Sequence, residues 1–504
     1  MREMGSSKSG NRPATPAQIE RVKASVKGAL AQVYLNLMLD CAFRKALSVP
    51  DAVSVLSDQD KEYAKRIVTL HANISDSLIC LSVMLLCNFR TQEPIEKKFL
   101  LRRVVVVCHE LYKYLYGFTK SQTDWEKIVP EFEKKYPEEC DGLKKQGEKY
   151  LKKYGQAEDR MLRNVSNHYS DNPFEFFKYI STINEKGITD RALLMLAIAQ
   201  TLNSLLYNEL GDMLPKVDSA GPLQISLGEC QFRDEFNDKL TEAARYHLNH
   251  RKEILRTQVQ RLKKCEAFAS QYGYDMTKDV RWRLLKDDNL GLHVMYLQLD
   301  SMVLTLAMSR AESALEEKMI LAYMVASMHE GFKKIYGFAE GGSEKSLWHR
   351  YAVSRQERIT DSKLKSEISL VGGVLDAFSK RDYLKNPTVA LFLSHVGYVK
   401  DLKGDSSNAM ADYLLKDDHR EELAGVVRVL SFLNVLVEVS GKLLSYENDV
   451  MSEEKKRELE RHLNEIDEIE RKALLRISSE RGRQELRAQT EVMKDAIRKL
   501  YNWE

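Results

Sequence analysis

An all-α fold follows from three features of this chain. Helix breakers are scarce, with 10 Pro and 24 Gly among 504 residues. Leu, Glu, Lys and Ala, which lose little on entering a helix, fill long uninterrupted segments. Apolar residues return every three or four positions, the spacing of one helical face.

The elements follow in order. Gln18–Leu47 predicts a helix with Ile19, Val22, Val26, Ala29 and Val33 on one side. Helical spacing resumes at Asp58 and runs, with room for a break, toward Phe89. Glu96–Tyr116 predicts another helix, stopped by Gly117. Thr123–Tyr136 and a strongly basic Glu139–Asn164 come next, then a short helix over Pro173–Ile180. There Asn172 offers an N-cap and Pro173 the first helical position. Thr189–Leu210 is long and apolar. Gly211–Gly228, with Pro215, Gly221 and Pro222, reads as an interdomain connection. Helix returns over Glu235–Ser270 and Leu292–Gly337. The last segment, Glu453–Tyr501, carries Leu459, Leu463, Ile466, Ile469 and Ala473 as a stripe, suited to a coiled-coil arm or a lid. The organisation read from this is a flexible tail over 1–17, a first unit over 18–211, a linker over 212–234, a second unit over 235–450 and a C-terminal helical arm over 451–504.

Net charge is +3, so any polyanion site must be a local patch. The 7 Cys have no C-x-x-C pairing, which suggests free thiols in a reducing compartment. The apolar run Leu78–Cys87 is too short by itself to span a bilayer, and no membrane association is expected. These readings make the chain a cytoplasmic protein.

The second half echoes the first. His109-Glu110-Leu111-Tyr112-Lys113-Tyr114-Leu115-Tyr116-Gly117-Phe118 matches His329-Glu330-Gly331-Phe332-Lys333-Lys334-Ile335-Tyr336-Gly337-Phe338 at six of ten positions. Glu96-Lys97-Lys98 and Glu316-Glu317-Lys318 precede each His at the same offset. Asp76-Ser77 and Asp300-Ser301 open comparable apolar stretches. The expectation is two related helical-bundle units produced by duplication, plus a C-terminal long helix. The His-Glu pairs are not zinc-protease motifs, because Lys113 and Lys333 stand where a second His is required. A structural role is expected for them, with Gly ending each helix and Phe plugging the core.

The strongest chemical signal is Arg163-Asn164-Val165-Ser166-Asn167-His168-Tyr169, placed where one helix ends and another begins. Arg holds phosphate oxygens in a fixed fork. His exchanges a proton near neutrality. Other Arg…His spacings, Arg66…His71, Arg103…His109, Arg245…His250 and Arg457…His462, lie inside predicted helices without an amide after the Arg and read as core or solvated-face residues.

Arg-Asn-x-x-x-His-Tyr at a helix junction resembles the HEPN superfamily (higher eukaryotes and prokaryotes nucleotide-binding) over roughly Asp58–Leu210. Many HEPN members are metal-independent endoribonucleases of phage-defence, abortive-infection and toxin systems. The resemblance carries the catalytic roles onto Arg163, Asn164 and His168, with Tyr169 a looser match. It also implies that two motifs face each other across a dimer. The second unit lacks a matching motif: at Leu391-Phe392-Leu393-Ser394-His395, Ala390 stands in the Arg position. Two arrangements stay open, an internal pseudo-dimer with half a site, or a homodimer through the first unit, the latter preferred for an active enzyme.

Lys149, Lys152, Lys153 and Arg160, with Tyr150, Tyr154 and Tyr169 interleaved, predict an RNA-guiding stripe. His247 and His250 share a helix face without acidic or Cys partners, and no phosphate-binding Gly loop occurs, so neither metal nor cofactor is expected. The sequence therefore predicts an RNA-cleaving effector, with a regulatory or antitoxin protein as a further partner. The rival reading is a non-catalytic HEPN-like scaffold or sensor.

Overall fold

A computed structural model describes residues 16–48, 57–117, 124–154, 173–213, 227–236, 238–272, 290–385, 409–416, 418–475 and 479–501. The fold is all-α. The helices are α1 (Pro16–Ser48), α2 (Asp58–Arg90), α3 (Pro94–Tyr116), α4 (Asp124–Lys135), α5 (Pro137–Tyr154), α6 (Pro173–Thr182), α7 (Glu185–Met213), α8 (Asp238–Tyr272), α9 (Leu290–Met308), α10 (Ala314–Ile335), α11 (Ser362–Ser379), α12 (Ala409–Leu415), α13 (Arg420–Leu474) and α14 (Glu480–Tyr501). Two compact units emerge, one of residues 1–350 and 372–434, the other of residues 351–371 and 435–504.

Several predicted segments resolve differently. Asp58–Arg90 is one unbroken helix. Leu292–Gly337 is two helices, because Ser313 leaves helical geometry and its hydroxyl accepts from the Glu316 N–H at 3.3 Å, starting α10 afresh. Glu453–Tyr501 is likewise not one helix: α13 runs 55 residues from Arg420, and α14 begins separately at Glu480.

The core of the first unit is built from two hairpins, α2–α3 and α9–α10. Both are joined by short connections, and their helices are apolar nearly all round. Such helices must be covered on every side. All of α9 except Met295 is buried. The seam between the hairpins is ionic. Arg90 donates both guanidinium nitrogens to Glu316, at 2.5 and 3.0 Å. Arg310 donates to Glu96 at 2.6 Å. Each residue of one pair sits at the same offset from its counterpart in the other as His109 does from His329. Deeper in the seam, Asp300 accepts from Arg102 and, at 2.6 Å, from Arg103, which also donates to Ser327 at 2.8 Å. Burial alone would raise the Asp300 carboxyl, but the charges of Arg102 and Arg103 outweigh it and hold it below the usual range.

The two repeated glycines end their helices as expected. Gly117 (φ 69°) and Gly337 (φ 88°) take a conformation costly for other residues. Tyr336 and Gly337 N–H groups both donate to the Phe332 carbonyl, at 2.8 and 2.9 Å. The six cysteines whose side chains are described are free thiols, and burial pushes the Cys87 thiol up to about 12.

The run Leu78–Cys87 belongs to a longer apolar helix than its length suggested. By length and composition α2, α9 and Arg420–Leu443 are each sufficient to cross a membrane. The apolar window of α2 is entirely buried within the protein, and that of α9 is 94% buried.

α1 lies along α2 and α7 through polar contacts. Asn36 donates to Asn203 at 2.5 Å, and Asn203 donates to Ser75 at 2.9 Å. Asp40 meets His71 Nδ1 at 2.6 Å. Near them Asp76 is fully buried, and neither of its carboxylate oxygens accepts a hydrogen bond among the described residues. In the second unit, the distal part of α13 and α14 are tied by Lys494, which meets Asp467 and, at 3.6 Å, Glu470. The predicted apolar stripe divides there: Ile466 is buried, whereas Ile469 is 63% exposed.

Asp76 yields a pH prediction. Burial raises its pKa well above the ordinary value; Arg44 opposes this, while Asp40 and Asp412 add to it. A group that binds its proton more tightly when folded adds stability as pH falls from the folded toward the unfolded pKa, and removes it as pH rises. Asp76→Asn is expected to stabilise more at pH 8 than at pH 5. Urea midpoints at the two pH values check this, and equal shifts would contradict it.

Candidate functional site

Arg160, Arg163, Asn164, His168 and Tyr169 lie outside the described residues, as does Ala390–His395 in the second half. The structure defines the two helices that bracket the motif in sequence, α5 ending at Tyr154 and α6 beginning at Pro173.

α5 is amphipathic. Cys140, Leu143, Gly147 and Tyr150 are buried, at steps of three, four and three residues. This leaves Lys149, Lys152 and Lys153 exposed. Lys145 is also exposed but pairs with Asp141 at 2.6 Å. Gly147 permits a close approach: a Cβ there would lie 2.6 Å from the Tyr116 ring. The Tyr116 hydroxyl donates to the Leu143 carbonyl at 2.9 Å.

Tyr150 corrects the sequence reading. It is only 2% exposed, so it cannot stack on a base. Its ring lies parallel to Tyr112, with centroids 5.0 Å apart. Arg191 of α7 donates from Nε to the Tyr150 hydroxyl at 2.6 Å, and its guanidinium lies 5.7 Å from the centroid of half-buried Tyr154. The C-terminal end of α5 is thus bolted to α3 and α7. The signal that marks Tyr150 as structural is its register with Leu143 and Gly147.

α6 is anchored by aromatics. Phe176 is fully buried and stacks on Tyr296 of α9, with centroids 3.7 Å apart, and meets Phe99 of α3 edge-on at 5.6 Å. Arg102 lies 5.2–5.6 Å from the centroids of all three rings, and donates to the Tyr296 hydroxyl at 2.8 Å. A guanidinium so placed gains from the ring faces while its charge is balanced by Asp300. The helix that follows the motif is therefore fixed to the seam between the hairpins.

Two of the other Arg…His spacings, Arg66…His71 and Arg103…His109, do not bring the Arg and the His together in one site. Arg66 is half exposed near Glu62, at 3.5 Å, while His71 is buried against Asp40. Arg103 belongs to the Asp300 cluster. His329 donates from Nδ1 to the Leu384 carbonyl at 2.5 Å and stacks on Phe338 at 5.0 Å, so this His-Glu pair serves packing. Sequence reading missed the Asp40–His71 pair and the Asp300 cluster. Their signal was a charged residue within an otherwise apolar helix, which is retained only when it finds a partner.

Comparison with protein-family models, with curated proteins and with solved structures finds no match to this chain.

Tyr150→Phe removes one acceptor of a buried guanidinium and is expected to cost about 1–3 kcal/mol. Lys149→Ala and Lys152→Ala, on the exposed face, are expected to stay within about 0.5 kcal/mol of the parent. Chemical denaturation of the three variants distinguishes these roles, and a neutral Tyr150→Phe would contradict the anchoring of α5.

Proposed function

We propose that this chain is a metal-independent endoribonuclease of the HEPN kind. The observation that carries the reading is the sequence Arg163-Asn164-x-x-x-His168-Tyr169 on the connection between α5 and α6. Two features of its surroundings support it. α6 is pinned to the inter-hairpin seam through Phe176, and α5 presents exposed Lys149, Lys152 and Lys153.

The chemistry uses the RNA's own nucleophile. The ribose 2′-OH attacks the adjacent phosphorus while His168 accepts its proton. Arg163 balances the charge that accumulates on the phosphoryl oxygens, and Asn164 orients the imidazole or donates to one of those oxygens. The bond to the 5′-oxygen then breaks, and that oxygen takes a proton from an acid. The products are a 2′,3′-cyclic phosphate and a 5′-hydroxyl. DNA, lacking the 2′-OH, is spared.

We further read α2–α3 and α9–α10 as related hairpins arising by duplication. The reciprocal Arg90–Glu316 and Arg310–Glu96 pairs support this reading. They also favour an internal pseudo-dimer. A homodimer through the first unit has to use a face other than the one α9 and α10 cover. That same pairing is the specific observation behind a second reading, a non-catalytic HEPN-like scaffold or sensor, since one chain then holds a single motif. A phage-defence or toxin setting, a cytoplasmic location and a neutralising protein partner belong to the first reading.

Purified protein incubated with total RNA in EDTA tests it. Wild type is expected to cleave, and Arg163→Ala and His168→Ala to lose at least about a hundredfold of the rate. Undiminished cleavage by both variants would remove the assignment. A wild type that leaves RNA intact would favour the scaffold.

A further inference from the structure

We propose that the outer face of α8 is a binding track for single-stranded RNA. The inference deepens the ribonuclease reading, on which its choice of RNA rests. α8 contains eight Lys and Arg against four Asp and Glu, a larger excess than the +3 of the whole chain. The charge is patterned. Arg245, Lys252, Arg256 and Lys263 recur at steps of seven, four and seven residues, which places them on one face. Arg245, Arg256 and Lys263 are exposed and Lys252 is half-buried. At 1.5 Å per residue the row runs about 27 Å, the length of a short single-strand site. Glu253 lies 3.8 Å from Arg256 and Glu242 precedes the row, so the field is tempered but stays positive.

An aromatic pair occupies the neighbouring stripe, about 100° or more round the helix from the row, which it shares with Glu242 and Glu253. Tyr246 is 66% exposed, and its ring lies parallel to that of His250, with centroids 6.1 Å apart and 7° between planes. A phosphate-binding row beside a ring platform is the arrangement by which proteins hold unpaired strands, because every base offers a π-face. The inner side of α8 is committed elsewhere: Thr241, Ala244 and Leu248 are buried, and Arg251 donates to Gln298 of α9 at 3.2 Å. Arg251 therefore positions the helix and leaves the contact with RNA to the outer row. α8 also packs against α6, the helix that follows His168 in sequence. A strand held on α8 thus lies beside the helix that begins four residues after Tyr169 in sequence. A duplex presents its phosphates at a different spacing and hides its base faces, so it is a poor occupant of this track.

The test is fluorescence anisotropy of a labelled U-rich 20-nucleotide RNA in EDTA, with the full chain carrying His168→Ala to prevent cleavage. Four phosphate contacts predict a slope of log K against log salt of about −3. Arg245→Glu with Arg256→Glu is expected to weaken binding at least tenfold and to reduce the slope by about 1.4. Tyr246→Ala is expected to weaken it about tenfold with the slope unchanged, and Tyr246→Phe to restore it. Thermal melts check that each variant is folded. Parental affinity in both the charge-reversal and Tyr246→Ala proteins would overturn the proposal, as would absence of RNA binding by the parent or tighter binding of a duplex of the same sequence. Binding that responds as expected, in a protein that cleaves no RNA when His168 is restored, would uphold the track and sink the nuclease reading alone.

Discussion

Two arginine–glutamate pairs crossing between α2–α3 and α9–α10 set the constraint on which the first unit depends. Arg90 reaches Glu316 and Arg310 reaches Glu96, with both glutamates almost wholly buried. A buried carboxylate without its cation is costly, so neither hairpin can be separated from the other without leaving charge stranded in an apolar surround. The crossing also fixes register. A slip of either hairpin by one turn would break both pairs at once, together with the grip of Arg102 and Arg103 on Asp300. Apolar burial supplies most of the driving force for packing these helices, but it is indifferent to small shifts along the axis. The ionic seam is not.

What surrounds the motif is organised from that seam. Tyr296 belongs to α9, accepts from Arg102, and receives Phe176 on its ring. The start of α6 is fixed by this contact. On the other side, Arg191 and Tyr112 hold Tyr150 and so the end of α5. Both helices that bracket Arg163 and His168 in sequence are thus anchored to the same framework. α8 stands on the same framework through Arg251 and Gln298, turning its basic face outward.

Much of the fold was legible in the sequence, because helix length and apolar spacing are local properties. Helical spacing that resumes at Asp58 begins α2, and Gly117 ends α3, although α3 starts at Pro94, two residues before the expected Glu96. The misreadings share a cause. Leu292–Gly337 hides a break at Ser313 because the residues around it remain apolar enough to continue the pattern, and only the hydroxyl cap reveals a new start. Tyr150 looked like one of a series of tyrosines among lysines, yet its register with Leu143 and Gly147 turns it inward. Long-range pairings such as Arg90–Glu316 are invisible to local patterns, although the repeated Arg and Glu at matching offsets were there to be seen. The motif itself is a statement about residue types in order. Its meaning depends on what converges in space, which no spacing rule supplies.

Native-state hydrogen exchange tests the shared seam most directly. If the two hairpins are one cooperative body, the slowest amides of α2, α3, α9 and α10 exchange with a common opening free energy, and Glu316→Ala lowers that energy in all four helices by the same amount. A loss of protection confined to α9 and α10, with α2 and α3 keeping their parental rates, would contradict the account.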